Sequence, residues 1–128
     1  MEMTQQGKTM VLNHRQIQQK ITRIAFEIFE RNAEKEVLVV AGLTGLGYVL
    51  AERVVEKLRE IAPIRLHLIK VDLDKSQPNI HEVHLSEQVP LKDAAVILVD
   101  DVLNTGKTLA YAMVPFLEAG VRQMEVLV

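Results

Sequence analysis

Apolar positions along this chain fall into two rhythms. Some recur every three to four residues, others form short unbroken runs, and the alternation of the two lays out an α/β domain. Ile17, Ile21, Ile24, Ala25, Ile28 and Phe29 share one helical face. Asn13 stands before them with Gln16 three residues on, the pattern of a capping box, so a helix is predicted from there to about Asn32. Residues 37–41, VLVVA, are a continuous apolar run suited to a buried parallel strand. A glycine loop follows at 42–47, then Leu50, Val54, Val55, Leu58 and Ile61 mark a second helix that Pro63 closes. Residues 64–71 alternate as a second strand. Residues 72–79 are a polar loop suited to a mobile flap, and residues 80–85 a weak strand or hairpin arm. Residues 94–99 are a further buried strand, followed by a loop and a helix over about 106–118, with Pro115 inside it predicting a kink. Gly120 suits the position just past that helix, and residues 121–128 close the pattern as a last strand. Residues 10–12 fit a short edge strand, and residues 1–9 a loose tail ahead of one domain over 10–128. Strands alternating with helices predict an open, mainly parallel twisted sheet with helices on both faces.

Composition narrows the function classes. With 128 residues, 48% of them hydrophobic, the chain makes one domain with an ample core. A net charge of −2 gives no push toward nucleic acid or an anionic membrane. There is no cysteine, so disulfides and thiol chemistry are excluded, which fits the cytoplasm. The N-terminus lacks the apolar core of a signal peptide. The longest uncharged run, 37–51, has fifteen residues and three glycines, too short and too broken to span a membrane.

The chemistry concentrates at residues 96–108, VILVDDVLNTGKT. A buried strand runs into two adjacent acids, Asp100 and Asp101, then into a small polar loop and a helix start. The carboxyl ends of strands are where open α/β sheets bind ligands, and a helix N-terminus favours an anion such as phosphate. The acids cannot favour that phosphate. Their natural partners are neutral hydroxyls or a metal, so the stretch predicts a sugar phosphate. Gly106-Lys107-Thr108 resembles the end of a Walker-A loop, but that motif needs a glycine where Asp101 stands. The loop 42–47 has the spacing G-x-x-G-x-G rather than the dinucleotide fingerprint, and Asp72 lies about thirty residues on, against the ~20 a ribose-binding acid requires. That loop reads equally well as a tight turn with close helix–strand packing or as backbone approaching an anion. His81 and His84, three apart on a strand, point to opposite faces and make a poor metal pair.

At this stretch the chain resembles the type I phosphoribosyltransferases. VILVDDVLNTGKT is similar to their signature for phosphoribosyl pyrophosphate. The N-terminal half, LNHRQIQQKITRIAFEIFERN with the following strand and glycine loop, is most similar to the pyrimidine-operon regulator and uracil phosphoribosyltransferase subfamily. The resemblance implies that Asp100 and Asp101 hold the ribose 2′- and 3′-hydroxyls and help to place a magnesium pyrophosphate. It implies that Asn104, Thr105, Gly106, Lys107 and Thr108 cradle the 5′-phosphate, and that Gly42, Leu43, Thr44 and Gly45 belong to a pyrophosphate loop running to Gly47. Residues 72–79 would fall in the hood over the site. The expected reaction displaces pyrophosphate at C1′ of ribose with a base nitrogen, aided by Mg2+ bound with phosphoribosyl pyrophosphate. A homodimer or higher homo-oligomer is expected.

Three departures from that family bear on activity. Thr44 and Leu46 stand where similar members carry basic residues, so the loop offers backbone donors and no cation. Asn104 replaces the aspartate of members acting on 6-oxopurines, and an amide cannot be a general base, which points from purines toward uracil. The chain stops at Val128 inside the last strand, where family members continue into a base-binding segment. A domain cut short there, or one that has lost catalysis, is therefore expected. The alternative function is a weak or inactive nucleotide-binding regulator of pyrimidine metabolism, with RNA as a further partner that the charge does not support.

Overall fold

The computed structural model describes residues 13–72, 83–100 and 106–127, the side chains of 106–108 excepted. Helix α1, His14–Asn32, begins as the sequence predicts. The Asn13 side chain accepts from the Gln16 N–H at 2.9 Å, and the Gln16 side chain accepts from the Asn13 N–H at 3.0 Å. Two N–H groups that a helix start leaves unpaired are satisfied reciprocally. Asn13→Ala should therefore lower stability by about 1 kcal/mol, measurable as a shifted urea midpoint at constant slope.

Five strands follow with two further helices between them: β1 Val37–Leu43, α2 Leu46–Ile61, β2 Arg65–Asp72, β3 His84–Leu85, β4 Ala95–Val99, α3 Gly106–Glu118 and β5 Gln123–Leu127. They make one sheet in the order β3-β2-β1-β4-β5. β1 pairs in parallel with β2 from Val37↔Arg65 to Leu43↔Val71, and with β4 from Leu38↔Ala95 to Gly42↔Val99. β4 pairs in parallel with β5, and β3 is the antiparallel edge against β2. The mainly parallel sheet predicted from sequence is thus present. The weak arm expected over 80–85 is described only at its end, where it is the two-residue β3.

Alternation along the strands splits the core into two layers. Leu38, Val40, Ala95, Ile97 and Val99 face α1 and α2, packing on Ile21, Ala25, Ile28, Val54, Val55 and Leu58. Val39, Ala41, Leu43, Ile69, Val71, Val96 and Leu98 face α3, packing on Ala112 and Phe116. Helices on both faces explain why β1 and β4 read as unbroken apolar runs. Phe116 is fully buried, a contribution of about 2–3 kcal/mol. The helix runs through Pro115 and ends as the sequence predicts. Gly120 adopts φ 78°, while the Gly120 N–H bonds to the Leu117 carbonyl and the Val121 N–H to the Phe116 carbonyl, a Schellman cap.

One polar clasp ties α1 to β5, an edge strand of the sheet. The Arg31 guanidinium donates to Glu125 of β5 at 2.7 Å, and the buried Asn32 amide donates to the same carboxylate at 3.1 Å. β5 in turn holds the end of β4, because the Leu127 carbonyl accepts from the Asp100 N–H at 2.9 Å.

The expectations of a tail at 1–9, an edge strand at 10–12 and a flap at 72–79 fall outside the described residues, apart from Asp72. No helix among the described residues is long and apolar enough to cross a membrane.

Candidate active site

From β1 the chain moves outward through α2 to β2 and β3, then returns to the other side of β1 as β4. The loops leaving β1 and β4 therefore diverge, and the carboxyl ends of these two strands flank the switch point of the sheet. That crevice is where this architecture opens to a ligand.

On the β4 side stands Asp100, the first residue beyond the strand and only 3% exposed. A carboxylate buried to that degree is costly unless its oxygens are engaged. Its backbone is fixed from two directions. The N–H is bonded to β5, and Gly47 of α2 lies against its Cα. A Cβ added at Gly47 would sit 2.8 Å from the Val99 oxygen and 3.3 Å from Asp100 Cα. The start of α2 is thus pressed onto the end of β4.

On the β1 side the structure corrects the expected loop. Gly42 and Leu43 are the last residues of β1 and are not part of a loop. Their backbones complete the parallel ladder opposite Lys70 and Val71. The Leu43 side chain is buried in the α3 layer. A Cβ at Gly42 would lie 2.6 Å from Tyr48 Cα and 2.9 Å from Ala51 Cβ. Its lack of a side chain lets α2 pack onto β1, the packing alternative that the sequence left open.

The connection itself is only Thr44 and Gly45. Gly45 has φ 98° and ψ −136°, a conformation reserved for glycine, and the space where its Cβ would point is open. Among the described residues no side chain caps α2. Its first-turn N–H groups and positive dipole end therefore remain for an anion in the crevice. Thr44 is committed elsewhere. Its N–H and hydroxyl both bond to the Val71 carbonyl, at 2.9 and 3.0 Å, and the hydroxyl lies 3.2 Å from the Asp72 carboxylate. The turn can offer an anion backbone donors while the threonine hydroxyl is occupied by β2.

Among the sequence-predicted residues, Gly42 and Leu43 end β1 and Thr44 and Gly45 make the turn into α2, while Asp100 follows the adjacent β4 and lies against Gly47 at the start of α2. Gly106 begins α3, and Lys107 and Thr108 lie in its first turn. Asp101, Asn104 and Thr105 lie outside the described residues. Sequence reasoning missed Tyr48 and Lys70. The Lys70 ammonium sits 4.7 Å above the centre of the Tyr48 ring, beside the first turn of α2. The available signal was periodic: Lys70 interrupts the face of β2 that Leu66 and Leu68 make apolar. Among the described residues no group of three or more His, Cys, Asp or Glu could hold a metal.

Comparison with known proteins agrees with this geometry. Residues 7–128 match the model of the phosphoribosyl transferase domain. The bifunctional protein PyrR of Deinococcus radiodurans is 37% identical over 120 residues, covering 88% of this chain and 66% of that protein. The bifunctional protein PyrR of Oceanobacillus iheyensis is 33% identical over 124 residues, covering 88% and 68%. The chain thus spans about two thirds of the length of these relatives. In structure it resembles a hypoxanthine-guanine phosphoribosyltransferase from Bacillus anthracis, with a TM-score of 0.72 at 21% identity over 93% of this chain and 68% of that one. Hypoxanthine phosphoribosyltransferase from Trypanosoma cruzi gives 0.69 at 16% identity, over 88% and 62%. At such identities these two show a shared fold.

Proposed function

The chain belongs to the phosphoribosyl transferase family, and we propose that it transfers ribose 5-phosphate from phosphoribosyl pyrophosphate to a nucleobase, with uracil the favoured acceptor. The observation that carries this reading is the meeting of buried Asp100 with the uncapped start of α2 across the β1/β4 switch point. One side of the crevice accepts hydrogen bonds and the other donates them. Ribose hydroxyls and a pyrophosphate need those two surfaces side by side.

In this reading Asp100 and Asp101 accept from the 2′- and 3′-hydroxyls, and residues 104–108 take the 5′-phosphate. The turn after β1 meets the pyrophosphate with backbone N–H groups. The bond from C1′ to the pyrophosphate oxygen breaks, its electron pair leaving on pyrophosphate. A bond from C1′ to a base nitrogen forms as that nitrogen's proton passes to solvent. Holding the ribose rigidly between the acids and the phosphate sites aligns the two partners, which is where most of the acceleration arises. Magnesium fits the donor present: a carboxylate at the crevice, Asp100, suits a hard cation carried largely by substrate phosphates. When bound it supplies positive charge against the leaving pyrophosphate. Uracil is favoured over purines because Asn104 offers an amide, and an amide cannot remove a proton.

A second reading, a nucleotide-responsive regulator, is favoured by the name "bifunctional" carried by the relatives. One experiment separates the two. The chain is incubated with phosphoribosyl pyrophosphate, magnesium and either labelled uracil or labelled hypoxanthine. Nucleotide product from uracil and none from hypoxanthine is expected. No product despite calorimetric binding of phosphoribosyl pyrophosphate would leave the regulator. No binding at all would remove both readings, and a filter assay with salt titration tests RNA directly.

A further inference from the structure

The turn after β1 carries no charged side chain, and its threonine hydroxyl is spent on β2. Two carboxylates, Asp72 and Asp100, stand at the same edge of the sheet. From the protein side, the described part of this turn then offers only backbone dipoles to a leaving group of several negative charges amid acidic neighbours, a balance that a protein cation would improve. Among the described residues, Lys70 is the cation that reaches the first turn of α2 by direct contact.

Three features place it. Lys70 pairs with Gly42 across the β1/β2 ladder, so the two residues share a level of the sheet and a face. Gly42 is the residue whose missing Cβ admits Tyr48 and Ala51, so that face is the one α2 covers. The Lys70 ammonium ends over the Tyr48 ring, and Tyr48 is the third residue of α2. The β2 backbone there is clamped on its other side: the Lys70 N–H donates to the Ser86 hydroxyl at 2.8 Å, and the Lys70 carbonyl accepts from the Ser86 N–H at 2.9 Å. A long side chain thus runs from a fixed backbone to the first turn of α2. A ring face holds an ammonium only weakly where water has access, far less strongly than phosphate oxygens do.

We propose that Lys70, docked on Tyr48, is the cation that binds the pyrophosphate group in this chain, supplying from the neighbouring strand the charge that the turn 44–45 lacks. This rests on the phosphoribosyl pyrophosphate reading above. Tyr48 acts as a rest for the ammonium, keeping it beside the first turn of α2 when the group is absent. Asp72, on the same face two residues along, accepts from the Thr44 hydroxyl at 3.2 Å, so a carboxylate stands beside the turn and adds to the need for a cation there.

The test compares two ligands that differ by the pyrophosphate group, ribose 5-phosphate and magnesium phosphoribosyl pyrophosphate, by calorimetry on the full chain. Lys70→Met keeps the apolar stem against Tyr48 and removes the charge. It should weaken phosphoribosyl pyrophosphate by about tenfold or more and leave ribose 5-phosphate unchanged, as expected when one charge-assisted hydrogen bond is removed. Lys70→Arg should restore most of the difference, and the affinity gap between parent and Lys70→Met should shrink as salt is raised. Equal affinity of parent and Lys70→Met for phosphoribosyl pyrophosphate would overturn the proposal, as would equal weakening of both ligands. A parent chain that binds neither ligand would instead overturn the functional reading on which it rests.

Discussion

With Asp100 and Asp101 both replaced by asparagine, affinity for ribose 5-phosphate should fall by about 100-fold or more, two hydrogen bonds to charged acceptors at roughly 1.5–3 kcal/mol each. Asparagine keeps the shape, so the effect isolates charge and acceptor capacity. The fold should survive. The bond from the Asp100 backbone N–H to the Leu127 carbonyl is untouched by the substitution. The thermal midpoint should therefore stay near that of the parent while ligand affinity falls, which separates a binding role from a structural one. Far-UV circular dichroism and calorimetry on the same preparation read both quantities. Undiminished affinity in the double variant would remove the acids from the ribose site.

Gly42→Ala should have the opposite profile, a large loss of stability. The added methyl would meet Tyr48 Cα at 2.6 Å, Ala51 Cβ at 2.9 Å and the Gly47 oxygen at 2.9 Å. Backbone atoms cannot turn aside as a flexible side chain can, so α2 must move off the sheet along its first turn. Overpacking of this kind costs about 1–3 kcal/mol, and the upper end is expected here because β1 is the central strand. For a chain of this size that is a fall in midpoint of roughly 10 °C. Gly47→Ala meets Val99 and Asp100 instead, and should separate α2 from the acid, lowering ligand affinity along with stability. Gly45→Ala meets nothing, and its cost is the strain of φ 98° alone. The three variants thus rank by different causes, and a midpoint for Gly42→Ala within about 2 °C of the parent would refute the packing argument.

Much of this layout is legible along the chain. The capping box at Asn13 and Gln16, the apolar stripe of α1, the runs of β1 and β4 and the Gly120 cap all arise from interactions within a few residues. Spacing therefore reports them directly. The acid pair and the helix start after it stand out for the same reason, as does the family resemblance they carry. The end of β1 is not legible in this way, because Gly42 looks like a loop residue in sequence. Its partners in the ladder, Lys70 and Val99, are tens of residues away, and register with two neighbours extends the strand through it.

Local periodicity and local chemistry were enough to specify the elements and their faces, and to single out residues 96–108 as the stretch proposed to bind ribose and phosphate. Which ends meet is a property of the assembled sheet. The order β3-β2-β1-β4-β5 puts the start of α2 next to Asp100, and it turns the glycines at 42 and 47 into packing requirements. It also lays Lys70 on Tyr48 at the same edge. Those neighbours are fixed by strand pairing and by the close approach of α2 to two strands at once, interactions whose partners no local pattern names.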